Sequence, residues 1–301
     1  MDTAILSNSA RTAGLGSPGD DPAEGADMLA WMATRALIEE AELTPKPALV
    51  DRRGSGAHTD MNVALMRHSA LCLQPTFAAM ALASWGRDPS QALREKLAET
   101  GRAGERRMLI ATGGVNTHRG AIWTLGLLVA SAAMGPRSPE VLAERAGRLA
   151  RFNDREPPDP TSHGARMGCR FGVSGARGEA KQGFPHVIQL GLPALRAARA
   201  KMVMESHARL DALLAIMTDL NDTCLLYRGG LAALEIAKAG AGQVLSLGGT
   251  ASAAGYSALL ALDTKLIRHG VSPGGSADLL AATLFLDFVE HGDHSNLPWK
   301  N

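Results

Sequence analysis

Residues able to do chemistry gather in six short segments of this 301-residue sequence. They are TPKPALVDRRGSGAHTDM (44–61), ATGGVNTHRGAI (111–122), FGVSGARGEAKQGFP (171–185), NDTCLLYRGG (221–230), SLGGTAS (246–252) and SPGGSADLLAATLFL (272–286). Paired glycines recur in them, at Gly113–Gly114, Gly229–Gly230 and Gly274–Gly275, the last followed by Ser276. A glycine beside a helix start exposes backbone N–H groups where the helix dipole attracts anions. Cations stand close by (Lys46, Arg52, Arg53, Arg119, Arg177, Lys181, Arg228), and so do carboxylates (Asp51, Asp60, Glu179, Asp222, Asp278). Bases, backbone donors and carboxylates in one set suit a polyphosphate carried with Mg²⁺, which takes one or two carboxylates plus phosphate oxygens. His58 and His118 each sit near a glycine in a polar turn. Taken singly, each glycine pair also reads as an ordinary helix C-cap, and Asp278 as a first-turn carboxylate favoured by the dipole. The recurrence of such turns is what capping alone does not explain. GxxxxGK[ST], GxGxxG after a strand and HExxH are all missing, so none of these general-purpose templates assigns the chemistry.

The elements that must position these segments read as helices. Apolar residues recur at three- and four-residue spacing through ADMLAWMATRALIEEAEL, which Pro45 and Pro47 follow. A second helix is expected over 60–84, with Asp60 as N-cap and Pro75 as a kink or break. Asp88 and Pro89 open a third, 118–134 is an apolar helix, and Ser138 with Pro139 opens another. Residues 153–184, rich in Gly, Pro and Arg, read as a long functional loop. Helical segments follow at about 185–203, 205–219, 228–240, 249–269 and 276–291. Period-two alternation is lacking, so the expected fold is all-α: a leader over 1–24 and a single helical catalytic domain over 25–301.

Composition limits the partners. Hydrophobic residues at 46% and charged residues at 20% fit a soluble globular core. A net charge of +1 gives no bulk attraction to nucleic acid or membrane. Cys72, Cys169 and Cys224 lie too far apart for a CxxC pair, and their odd number argues against a disulfide framework. With no signal-peptide core near the start, a cytoplasmic location is expected.

The strings PKPALVDRRGSGAHTDM, ATGGVNTHRGAI, GARGEAKQGFP, DTCLLYRGG and SPGGSADLLAATLFL, in this order, resemble the triphosphoribosyl-dephospho-CoA synthase family over roughly residues 25–290. RRGSGAHTDMNVALMRHSA and GAIWTLGLL look more like the malonate decarboxylase branch than the citrate lyase branch. The family commonly has Gly where Ala48 stands and Asn where Cys224 stands. The resemblance implies an enzyme that joins ATP to the 2′-hydroxyl of 3′-dephospho-CoA and releases adenine. Its product would pass to a holo-carrier-protein synthase as precursor of an acyl carrier's prosthetic group.

Breaking the ribose–adenine bond builds positive charge on the ribose. It calls for a carboxylate, a donor to the departing adenine and a cationic clamp on the triphosphate. Asp51 and Glu179 are candidates for the carboxylate, and His58 and His118 for the donors. Lys46, Arg52, Arg177, Lys181 and Arg228 would hold phosphate, with Gly113, Gly114, Gly274, Gly275 and Ser276 offering backbone donors. Asn116 and Thr117 would orient substrate, and Asp60, Asp222 and Asp278 would carry Mg²⁺. Arg177 and Lys181 flank Glu179 at two residues, a spacing that does not face across a helix, so an irregular turn is expected there. A homodimer is also expected. The rival readings are an ATP-dependent kinase or phosphohydrolase and a non-catalytic helical scaffold.

Overall fold

The computed structural model describes residues 21–135, 138–156 and 162–292. These residues form twelve α-helices and no strand. Most of the expected leader lies outside them; its last residues belong to the first helix, α1 (Pro22–Glu42), which Asp21 caps by accepting the Ala23 N–H.

Two helices form the middle of the core. In α4 (Arg119–Ala133) every residue from Thr124 to Ala133 is buried. In α12 (Gly274–His291) burial is continuous from Leu279 to Phe288. A helix apolar on all sides has to be surrounded by others. Here α1 and α2 (Val63–Ser84) pack along one another and against α4, with α1 also meeting α12. Then α3 (Gln91–Ala111) and α5 (Pro139–Arg151) cover α4 from the outside.

Several boundaries differ from the expected ones for local reasons. Asn62, not Asp60, caps α2, because its Oδ1 reaches the Leu65 N–H at 2.9 Å. Ser90, not Asp88, caps α3. Pro75 neither breaks nor ends α2; burial of the helix face around it, including Leu73, Thr76 and Phe77, outweighs the one lost hydrogen bond. The span 153–184 is no open loop: among its described residues are α6 (His163–Phe171) and α7 (Gly175–Lys181).

The helix expected over 185–203 is split. A π-helical turn, Val187–Gly191, precedes α8 (Leu192–Ala200). Pro193 has no N–H to give the preceding turn, which is where the wider turn appears. After α9 (Glu205–Asp219) comes α10 (Thr223–Ser246), bent where Gly230 takes φ 64° and ψ −160°. Then α11 (Ala253–Arg268) leads to α12.

Candidate active site

A cleft of about 760 Å³ opens between α3, α4, α6, α7 and the N-terminal ends of α10 and α12. Of the expected site residues it is lined by Asn116, Arg177, Glu179, Asp222, Gly275 and Asp278. The segment mistaken for a loop forms one wall of it.

Glu179 reaches the cleft from α7 although it is only 5% exposed. The helix puts it there in place of the expected irregular turn. Both carboxylate oxygens are held by one residue: His186 donates its backbone N–H to Oε1 at 3.0 Å and lies with Nδ1 2.6 Å from Oε2. The bond to Glu179 raises the His186 pKa against the effect of burial. On the far side, Nε2 sits 3.1 Å from Asp219, within ion-pair distance but off hydrogen-bond geometry. The result is a carboxylate–imidazole–carboxylate row whose inner end faces the cleft. His186 follows Glu179 by seven residues and Asp219 by forty, so no recognisable spacing links the three.

Asp222 and Asp278 share the opposite end but have different surroundings. Asp222 accepts from the backbone of Cys224 (2.9 Å), Gly275 (3.3 Å) and Ser276 (2.8 Å) and from the Ser276 hydroxyl (2.9 Å). Its lone pairs are thus used in pinning the starts of α10 and α12 together. The Gly274–Gly275–Ser276 turn serves this protein carboxylate: a Cβ on Gly275 would come within 3.1 Å of it. Asp278 makes no hydrogen bond or ion pair with a described residue. Burial, then the like charges of Glu40 and Asp222, hold its carboxyl well above the usual range. It rests over the start of α4, where a Cβ on Gly120 would lie 2.0 Å from Oδ2. Beside it, burial and then Asp222 and Asp278 push the Cys224 thiol up, so it is neutral and unsuited to act as a nucleophile.

The remaining expected residues lie off the cleft. Lys46 is buried and bonded to Glu40, by Nζ to Oε1 at 2.5 Å and to the carbonyl at 2.6 Å. Asp51 accepts from the Lys46 and Arg53 N–H groups and from the Arg53 Nε, closing a tight turn with Gly54. Arg52 pairs with Glu42 at 2.6 Å on the surface. Gly113 and Gly114, with φ 64° and 93°, end α3, the Gly114 N–H closing on the Leu109 carbonyl at 2.7 Å. That is the helix-capping alternative.

Thr117 and His118 both bond Ser69, at 2.6 and 2.8 Å. Burial and then Lys46 lower the His118 pKa to about 3. His58 and Arg228 meet at Ser272, and burial followed by Arg228 takes His58 to about 4. Asp60 is exposed, 4.0 Å from His58, and the Lys181 side chain also faces solvent. The histidine that does border the cleft is His163, stacked on Tyr227 with ring centroids 3.6 Å apart. Its position on α6 was hidden by the loop reading.

Asn116 spends its Oδ1 on the Arg119 N–H at 3.2 Å, which leaves the amide N–H₂ toward the cleft. Arg119 is paired to Glu105. Arg177 has no carboxylate partner among the described residues and lies 6.0 Å from the Trp123 ring centroid.

An oriented carboxylate and an unpaired acid set against guanidinium groups across a cleft make an enzyme site for an anionic substrate. The chain belongs to the ATP:dephospho-CoA triphosphoribosyl transferase family, whose model matches residues 26–297. It is 56% identical over 278 residues to a probable 2-(5″-triphosphoribosyl)-3′-dephosphocoenzyme-A synthase of Pseudomonas fluorescens, covering 90% of this chain and 94% of that protein. Over 263 residues it is 54% identical to the 2-(5″-triphosphoribosyl)-3′-dephosphocoenzyme-A synthase of Klebsiella pneumoniae, covering 87% of this chain and 94% of that one. No solved structure matches it.

Proposed function

We propose that the protein transfers the 5-triphosphoribosyl group of ATP to the 2′-hydroxyl of 3′-dephospho-CoA and releases adenine. The observation that carries this reading is Glu179, a buried carboxylate facing the cleft with its orientation fixed by the His186 imidazole. Glycosyl transfer to an alcohol needs a base aimed at that hydroxyl. Glu179 takes the proton of the incoming 2′-hydroxyl as its oxygen bonds ribose C1′ and the C1′–N9 bond breaks. Adenine leaves with a proton taken from solvent, to which Glu179 returns its own, and His186, beside Asp219, keeps the carboxylate in place. Arg177 holds triphosphate oxygens, and the free amide N–H₂ of Asn116 gives a donor for substrate. Fixing two large substrates in register supplies about 7–11 kcal/mol toward the barrier.

Of the three carboxylates considered for Mg²⁺, Asp278 fits best, because its oxygens are unclaimed and it borders the cleft. Asp222 has its acceptors filled and Asp60 lies on the surface. One carboxylate plus phosphate oxygens is an ordinary Mg²⁺ environment. The ion, when bound, would neutralise triphosphate charge, while Asp278 holds its site beside the start of α4. The strings RRGSGAHTDMNVALMRHSA and GAIWTLGLL support a product destined, through a holo-carrier-protein synthase, for the acyl carrier of malonate decarboxylase.

Incubating the purified protein with ATP, 3′-dephospho-CoA and MgCl₂ and resolving the products by chromatography with mass detection tests the reading. Free adenine should appear one-to-one with a CoA adduct bearing an intact triphosphate. ADP or phosphate without adenine would overturn it in favour of a kinase or phosphohydrolase.

A further inference from the structure

We propose that Arg94, with Arg177 beside it on Trp123, forms the anchoring subsite for a phosphate chain on the α3–α4 wall of the cleft. Arg94 sits inside α3 between Leu93 and Leu97 and is only 4% exposed, yet it borders the cleft. A guanidinium in such a place normally has its N–H groups satisfied. This one does not. Its Nε–H has no acceptor among the described residues. The nearest carboxylate, Asp154, is 3.8 Å from Nη2 and already takes Arg102 Nη1 at 2.8 Å. The Trp123 ring, 4.9 Å from Arg94 Cζ, offers a cation–π contact that is too weak to offset the desolvation alone.

The charges around it leave the same deficit. Arg102 and Arg177 both repel Arg94, while among the described residues Asp154 and Glu156 are the carboxylates at hand, both engaged by Arg102. Glu105, also on this wall, is taken by Arg119. Two guanidiniums against one indole, without a dedicated carboxylate between them, suit an anion with several acceptor oxygens and a planar, bidentate mode of binding. Burial draws the Arg94 pKa below its ordinary value, as expected of a cation waiting for a counter-ion. Nothing in residue type or spacing marked Arg94; it lies in a plain amphipathic helix, outside every polar segment.

This subsite rests on the transferase reading for its substrate, but its test does not. Inorganic tripolyphosphate is titrated calorimetrically into the full chain without nucleotide. The wild type should bind it, with affinity falling as salt rises. Arg94→Lys keeps the charge but loses the fork and should bind at least tenfold more weakly. Arg94→Met should lose binding while melting no lower than wild type in the absence of ligand, because it removes an under-paired buried charge. A purely structural arginine predicts the reverse: a lower melting temperature for Arg94→Met and tripolyphosphate affinity unchanged in Arg94→Lys. That result, or no binding by the wild type, overturns the subsite; should Arg94→Met fail to fold, the Arg94→Lys titration decides. Tripolyphosphate binding in a protein that releases no adenine would sink the transferase reading and leave the subsite standing.

Discussion

Ala48 holds a backbone conformation that side chains rarely adopt. It adopts φ 57° and is fully buried, its N–H held by Asp263 at 2.7 Å. A left-handed non-glycine residue costs about 1–2 kcal/mol. Glycine there would forfeit about 0.4–1 kcal/mol through the unfolded chain and about 0.8 kcal/mol of buried methyl. These nearly cancel, so Ala48→Gly should change the unfolding free energy by less than about 1 kcal/mol. Ala48→Val, β-branched in a conformation such residues avoid, should cost more than about 2 kcal/mol; denaturant melts of both variants check this. Glu179 and Asp51, two candidates for one role in the sequence, now separate. Glu179→Gln should slow adenine release by about 10²–10⁴-fold with the fold intact. Asp51→Asn, away from the cleft, should lower stability by about 1–3 kcal/mol and leave the rate per folded molecule near wild type. Equal loss of turnover in both would refute the separation.

At the scale of elements, the cleft depends on how helices begin. Asp222 belongs to α10 by its N-cap and to α12 by three further hydrogen bonds, so one side chain sets the angle between two helix ends. Removing an N-cap carboxylate costs about 0.5–2 kcal/mol, and leaving the α12 donors unpaired adds to it. Asp222→Ala should therefore destabilise by about 2–4 kcal/mol, and Asp222→Asn, which keeps the acceptor oxygen, by clearly less. If both variants unfold at the same denaturant concentration, the link is not carried by the oxygen. The bend at Gly230 complements this arrangement. Its φ and ψ lie where only glycine is comfortable, and they let α10 leave the cleft at a new angle.

For the whole molecule, the buried histidines set the pH response. His118 and His58 are neutral in the fold down to about 3 and 4, whereas in the unfolded chain they take protons below about 6.5. Between those limits the unfolded state binds more protons, so stability falls with falling pH, by up to about 1.4 kcal/mol per unit for fully buried His118 and less for partly exposed His58. His186 works in the other direction. Its pKa is raised, so its contribution is whole below about 6.5 and fades as pH climbs through the folded value. Urea unfolding from pH 8 to pH 4 should show a steep acid limb that His118→Asn flattens; an unchanged slope in the variant would place the acid sensitivity elsewhere. No described helix is long and apolar enough to cross a membrane.

The sequence alone determined the helical class, since three- and four-residue periodicity is a local property that survives in any packing. It also pointed to six segments rich in polar residues, because chemistry leaves unusual residue types in one place. Which members of those strings face one another was decided only by tertiary structure. Thr117, His118, Lys46 and Asp51 look like site residues by type, but Thr117 and His118 bond Ser69 of α2, and Lys46 and Asp51 are spent on Glu40 and on their own turn. Arg94 and His186 look like ordinary helix residues by type, yet α3, α4 and α7 bring them to or beside the cleft. A side chain's task follows from which hydrogen bonds its neighbours have already filled, and those neighbours are chosen by packing between segments far apart in the chain.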